Sequence, residues 1–562
     1  MVNIREKPFC LGESQCRWVE ETLSAMTLRE KVAQLFFTAS AVDTPESLLQ
    51  QYERIPFGGI MFRGDRGERI REQVTFIQKN ARIPLLIAAN LENGGNGIVS
   101  EGTNFASELE VAATGDPEYA RMLGDICGAE GAAAGANYAF APVVDVQFNW
   151  RNPIINTRTF GSDPEKVLTY GEAYLRGIRE HNVAVALKHF PGDGVDERDQ
   201  HLISSVNSLS CEEWDASFGK IYQGLIDQGA RTVMVGHILL PEYSRRLRPG
   251  IRDDEILPAS LSPEIVTGLL REKLGFQGMV ITDSGTMTGL GCALPRQQIP
   301  AAAINAGCDM FLFGRNMEED FSYALEDAES GVIPLWRLDE AVTRVLALKA
   351  SLNLADRDWD AGLEDPTVIG CPKHREQALQ CADRAITLVK DTQKLLPVTP
   401  ATHKRILLYI LGDNPAFRGG AVCRDGVIRR LEREGFAVTC PSGETRDALF
   451  TDTPVAELKE RFDLILYVAN MVTGGNRCTN RLFYAPRICG ESPQHVKDIP
   501  TMFVSLGDPF HFVDVPMIRT FINCYNHSEF VLDMLVEKIT GRSPFHGISP
   551  VDPFCGVWGA DL

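Results

Sequence analysis

Short, unbroken apolar runs recur along the N-terminal part of the chain: Gln34–Thr38, Gly58–Phe62, Pro84–Ala89, Tyr138–Val144, Val183–His189, Thr232–Leu240, Met279–Thr282 and Asp309–Phe313. Each is followed by a loop and a longer stretch with apolar residues at helical spacing, as in Pro117–Ala134, Pro164–His181, Cys211–Gln228 and Pro263–Leu274. An apolar run without polar alternation is the pattern of a strand covered on both faces. Such strand–loop–helix units in series imply a parallel sheet, and eight of them fit a (β/α)8 barrel of the TIM type. A doubly wound open sheet is the alternative that the pattern alone leaves standing. Upstream, Glu20–Phe37 carries leucine, valine and phenylalanine at helical spacing, with Thr27 placed as a cap.

The pattern changes after Val345. Asn353–Pro366 is polar and rich in aspartate, as a linker would be. A helix is then expected over Glu376–Ala385. Strand-like runs follow at Arg405–Leu411, Leu464–Val468, Met502–Leu506 and Thr520–Asn523, with helices between them. A chain of 562 residues is too long for a single core. The expected fold is therefore α/β in two parts. Residues 1–352 form a (β/α)8 barrel, 353–375 a linker, and 376–562 a smaller C-terminal α/β open-sheet domain.

A barrel requires its functional residues at the C-terminal ends of the strands. The polar residues closing the runs are Asn90 and Glu92, Asp145, Lys188 and His189, His237, Asp283 and Arg315. Core packing alone does not explain so many ionisable groups at the ends of buried strands, because unpaired buried charge is costly. The densest cluster is Lys188–His201, K-H-F-P-G-D-G-V-D-E-R-D-Q-H. Its Pro-Gly-x-Gly turn would not sit inside a strand or helix. Asp283 has two readings from its neighbours: a helix cap before Ser284 and Gly285, or a strand-tip carboxylate aimed at substrate. His237 either faces the site or satisfies a strand end.

Composition narrows the function classes. A formal net charge of −19 disfavours nucleic acid and anionic membrane as partners. The opening MVNIREKPFCLGESQCRWVEE lacks the apolar core of a secretory signal, and no run approaches a membrane span. The 14 cysteines are scattered without a CxxC pair, so they read as reduced thiols in a cytoplasmic protein. Cys127 and Cys308 lie in apolar contexts expected to be core. No metal or organic cofactor is called for.

K-H-F-P-G followed by Asp199-Gln200-His201, with Met279-Val-Ile-Thr-Asp-Ser-Gly285, resembles glycoside hydrolase family 3 in its β-N-acetylglucosaminidase branch. M-T-L-R-E-K-V-A-Q-L-F-F and Asn156-Thr-Arg-Thr-Phe-Gly161 are similar to further family segments. The resemblance implies that Asp283 is the nucleophile, which forms a glycosyl-enzyme intermediate. It implies that His201 is the general acid/base, oriented by Asp199, a role that imidazole suits because it titrates near neutrality. Arg158, Lys188 and His189 would bind sugar hydroxyls, and Glu92 would assist them. Two positions depart from the family pattern: Asp193 stands where histidine usually follows P-G, and Asn90 replaces the first carboxylate of D-x-E-G-G.

The activity implied is retaining removal of terminal β-linked N-acetylhexosamine from a small carbohydrate, with neither nucleic acid nor membrane as partner and with room for a homodimer. Phosphorolysis on the same scaffold is an alternative, because a neutral histidine repels an anionic acceptor less than a carboxylate would. A β-glucosidase and a non-catalytic sugar-binding protein are the others. Joint retention of Asp283, Asp199 and His201 argues against the last.

Overall fold

The structure is a computed structural model that describes residues 2–39, 44–413, 423–441, 449, 453–471, 474–482, 484 and 491–560. The chain divides into two compact units. The first comprises Met1–Asn104, Ala120–Asn152 and Asp163–His374; the second comprises Phe105–Tyr119, Pro153–Ser162 and Arg375–Leu562.

All eight apolar runs contain strands of one parallel sheet: β1 (Phe36–Ala39), β2 (Gly59–Met61), β3 (Leu86–Ala89), β4 (Tyr138–Ala139), β5 (Ala184–Phe190), β6 (Thr232–Val235), β7 (Met279–Thr282) and β8 (Phe311–Leu312). Strand order runs from β8 through β1 to β7. A parallel bridge between Ile281 and Met310 joins the two ends, so the sheet is a nearly closed barrel rather than an open doubly wound layer. Almost every strand residue is buried, which is why these runs lack polar alternation. Phe37, Tyr138 and Phe140 pack together, with ring centroids 5.1–6.2 Å apart. The buried Tyr138 hydroxyl is satisfied by Thr232 Oγ1 at 2.8 Å.

The helices follow the expected stretches with local differences. Glu20–Phe37 is not one helix. One helix spans Glu13–Ala25, and a second spans Leu28–Gln34 with Thr27 and Glu30 as a reciprocal capping box, before the chain extends into β1. Cys211–Gln228 opens into a wide π-helical turn over Asp215–Gly219. A Cβ at Gly219 would come within 2.9 Å of the Trp214 ring, so the small residue lets the indole lie against the turn. The helix expected from Glu376 begins earlier, at Pro372.

Just before β8, buried Asp309 accepts from Arg271 at 2.6 Å and from Arg337 at 2.8 Å, with Arg344 at 3.4 Å. This cluster pins two flanking helices at the end of the barrel away from the strand tips. Lys349, on the helix Leu335–Ser351, is fully buried with its ammonium 2.6 Å from Gln34 Oε1.

The second unit has a six-stranded sheet built from β9 (Thr387–Asp391), β10 (Arg405–Leu411), β11 (Ala437–Thr439), β12 (Leu464–Ala469), β13 (Thr501–Ser505) and β14 (Thr520–Asn523). Their order is β9-β14-β13-β12-β10-β11, antiparallel only between β9 and β14. Tyr409, Tyr467, Phe503 and Phe521 stand opposite one another in register on four neighbouring strands. Their rings stack with centroids 5.1, 5.9 and 5.2 Å apart. Such cross-strand pairs fix register and fill one face of the core.

Candidate active site

Five of the barrel strands deliver side chains to one end. Three of the expected residues lie on or just beyond β5 and β7. The β5–β6 register shifts between Leu187 and Phe190, across Lys188 and His189, and a bulge of this kind re-aims the residues it contains. Lys188, almost fully buried, donates to Glu92 Oε1 at 2.6 Å and to the carbonyl of Phe140. The pair neutralises two charges that would otherwise be costly to bury. His189 presents Nδ1 to Asp145 Oδ2 at 2.7 Å, and its backbone N–H donates to Asp145 Oδ1 at 3.1 Å. That leaves Nε2 pointing toward Asp283, 3.9 Å from Oδ2.

Asp283 follows β7 directly. Its Oδ1 accepts the N–H of Ser284 at 2.7 Å; the next helix begins only at Thr288, with Met287 at its N-cap position, so Asp283 caps no helix and the strand-tip reading is the one that remains. Burial alone would raise the Asp283 pKa. The imidazoles of His189, His237 and His201 reverse this and hold the carboxyl below its ordinary value. An ionised carboxylate held dry and pointed from a strand tip is suited to nucleophilic attack.

His201 and Asp199 meet as expected. The irregular loop folds back so that Asp199 Oδ1 lies 2.7 Å from His201 Nδ1 and also accepts the His201 N–H at 2.8 Å. Asp199 is buried, whereas the His201 ring is 27% exposed, so one edge of the imidazole can reach substrate. His237 satisfies the strand end: Nδ1 meets Ser260 Oγ at 2.8 Å and Nε2 meets the Ser284 carbonyl at 2.9 Å. Burial lowers its pKa, which favours the neutral ring. It braces the backbone beside Asp283 from behind.

Arg158 ends a short turn, Asn156–Arg158, within the segment Pro153–Ser162 that belongs to the second unit. Asn90 and Arg315 are exposed. Glu130 braces the glycine-rich loop that carries Glu92: a Cβ at Gly95 would lie 2.1 Å from Glu130 Oε2. The same carboxylate accepts from the N–H of Thr103 at 2.7 Å and lies 2.7 Å from His374 Nδ1. The sequence marks Asp145 only as a strand-end carboxylate without a role, and it gives no role to Asn152 or Gln200. Asp145 had the visible signal of a carboxylate ending an apolar run, but the side chains it serves come from another strand.

The barrel and this cluster of carboxylates and imidazoles at its strand tips define a (β/α)8-barrel enzyme. The Glycosyl hydrolase family 3 N terminal domain matches residues 27–348. A protein of Cellulomonas fimi named β-N-acetylglucosaminidase/β-glucosidase is 44% identical over 569 residues, covering 100% of both chains. A solved β-glucoside phosphorylase, BglX, is 41% identical with a TM-score of 0.92, covering 99% of each chain. A family 3 β-N-acetylglucosaminidase structure from Paenibacillus is 24% identical with a TM-score of 0.78, covering 95% of this chain and 100% of the other, and supports the fold. The chain belongs to glycoside hydrolase family 3.

Proposed function

We propose that the chain cleaves terminal β-linked glucosides or N-acetylglucosaminides by double displacement, with phosphate as the favoured acceptor. Asp283 attacks the anomeric carbon while His201 gives its proton to the departing oxygen, leaving a glycosyl–Asp283 ester. A phosphate oxygen then attacks the same carbon, its proton passes to His201, the Asp283 carboxylate leaves, and the product is a β-glycosyl 1-phosphate. Asp199 orients the His201 ring throughout. Lys188, His189 and Glu92 position the glycone. Catalysis within a cytoplasmic compartment would keep the charged product inside the cell.

The reading rests above all on Asp283, a buried strand-tip carboxylate kept ionised among imidazoles. Two observations favour phosphate over water. A deprotonated His201 is neutral, so after the first step the site holds no acid/base carboxylate to repel an anion. The 41% identical structure is named a phosphorylase.

The test is turnover of aryl β-glucosides and β-N-acetylglucosaminides with and without inorganic phosphate, followed by phosphorus and proton NMR. Phosphate-dependent turnover with a β-configured sugar phosphate supports the proposal. Phosphate-independent release of free sugar makes the enzyme a hydrolase. An α-configured first product rules out double displacement.

A further inference from the structure

Gln200 lies between the two dyad residues but does not share their chemistry. It is 1% exposed, and both ends of its amide are engaged. Nε2 donates to Asp193 Oδ2 at 3.2 Å, and Oε1 accepts the backbone N–H of His237 at 2.8 Å. The amide therefore spans from the loop after β5 to the backbone beyond β6. Asp193, equally buried, is itself held on several sides. Its Oδ1 accepts from Asn152 Nδ2 at 2.8 Å and from the Gly194 N–H at 2.7 Å, and its own N–H donates to Asp145 Oδ1 at 2.8 Å. Asp145 in turn carries His189. Beyond the amide, the carbonyls of Gln200 and His201 accept the N–H groups of Gly289 at 3.2 Å and Thr288 at 3.0 Å, in the segment just after Asp283. A Cβ at Gly289 would lie 2.5 Å from the Gln200 carbonyl oxygen, so the close approach depends on that glycine.

We propose that Asp193 and Gln200 form a clamp of positioning residues that seats the Asp199–His201 dyad against the Asp283 strand tip before substrate arrives. This deepens the proposed function and rests on its assignment of His201 as acid/base. The loop carries glycines and many charges, a composition that favours mobility. The clamp counters this with directional bonds whose donors and acceptors are all buried, where an unpaired group is costly. The polarity of the bond is specific. Asp193 can only accept while ionised, so position 200 must supply a donor to it and an acceptor to His237. An amide does both.

That polarity can be reversed. Asp193→Asn supplies a donor where an acceptor stood, and Gln200→Glu supplies the matching acceptor while still receiving the His237 N–H. Each single change places like groups face to face; the pair restores one donor and one acceptor at unchanged total charge. The experiment measures kcat and KM of Gln200→Ala, Asp193→Asn, Gln200→Glu, the Asp193→Asn/Gln200→Glu double variant and His201→Ala. Substrates are dinitrophenyl and alkyl β-glycosides, with folding checked by thermal melting.

The singles are expected to lose about 10²-fold in kcat on the alkyl glycoside, the effect of a misplaced acid, and much less on the dinitrophenyl glycoside, whose leaving group needs no proton. The double variant should recover most of the loss. If the singles melt near room temperature, the double variant still decides, because a clamp predicts that it regains both stability and the alkyl-glycoside rate. A double variant no better than the product of the singles overturns the clamp, as does equal loss on both substrates. If His201→Ala itself shows no dependence on leaving group, the acid/base assignment fails, whatever the clamp variants do.

Discussion

Asp283 is where sequence, position and electrostatics meet in one side chain. Buried carboxylates normally hold their protons. This one is held below its ordinary pKa because nearby imidazole charge, His189 foremost, and the Ser284 N–H outweigh its burial. Asp283→Asn should retain the fold and lose about 10⁴-fold or more in kcat, since the amide cannot form the ester. Initial-rate assays on a dinitrophenyl glycoside check this, and near-normal turnover by a folded variant removes Asp283 from the chemistry. At this scale the sequence marks the residues that the proposed function places on the substrate. Asp283, His201 and Asp199 stood out because an apolar strand or a glycine turn leads into them. Asp145, Asp193 and Gln200 bond to other groups of the site. Their partners lie on different strands, and neither spacing nor periodicity records a bond of that kind.

At the scale of elements, every apolar run produced a strand, because residues buried on both faces leave an unmistakable mark. The π-helical turn at Asp215–Gly219 left none, since one extra residue per turn barely disturbs an amphipathic pattern. The capping box at Thr27 was legible only in part: Thr27 was expected to cap, but not to begin a separate helix. Two side chains show what burial does to an element. Burial pushes Lys349 down to about 7 from 10.5. The folded chain thus releases this proton above about 7, whereas the unfolded chain keeps it to the ordinary lysine value. The unfolded state binds more protons between those pH values, so stability rises with pH through that window. The rise attributable to one proton is about 1.4 kcal/mol per pH unit. Lys349→Met should therefore show a flatter stability–pH curve from neutrality to pH 10 than the parent, measured by urea unfolding; identical slopes contradict the assignment. In the second unit, Phe503 stacks on both Tyr467 and Phe521. Phe503→Ala should cost about 3–5 kcal/mol, read as an earlier urea midpoint for that unit's transition.

At the scale of the whole molecule, the first unit's segments are interrupted twice by chain that belongs to the second. Ser107 Oγ donates to the Tyr525 carbonyl at 2.9 Å, Asn526 Nδ2 donates to Glu110 Oε2 at 2.9 Å, and the Ile548 N–H donates to the Ala113 carbonyl at 2.9 Å. Gly161 has φ +122°, and a Cβ there would lie 2.6 Å from the Pro550 carbonyl oxygen. No local pattern in the sequence announces partners some four hundred residues away, and the alternation of strands and helices passes through both segments without a break. The second unit is consequently not a cassette. Any lineage that exchanged the C-terminal part alone, by recombination near residue 375, would inherit a graft without its rootstock. Replacing Arg375–Leu562 by the corresponding part of the Cellulomonas fimi relative should yield an unstable hybrid. Moving residues 105–119 and 153–162 along with it should restore the melting temperature, and equal melting temperatures for the two hybrids would refute this. Arg158 lies in one of those transplanted pieces, so a successful hybrid would also inherit the donor's packing around that arginine.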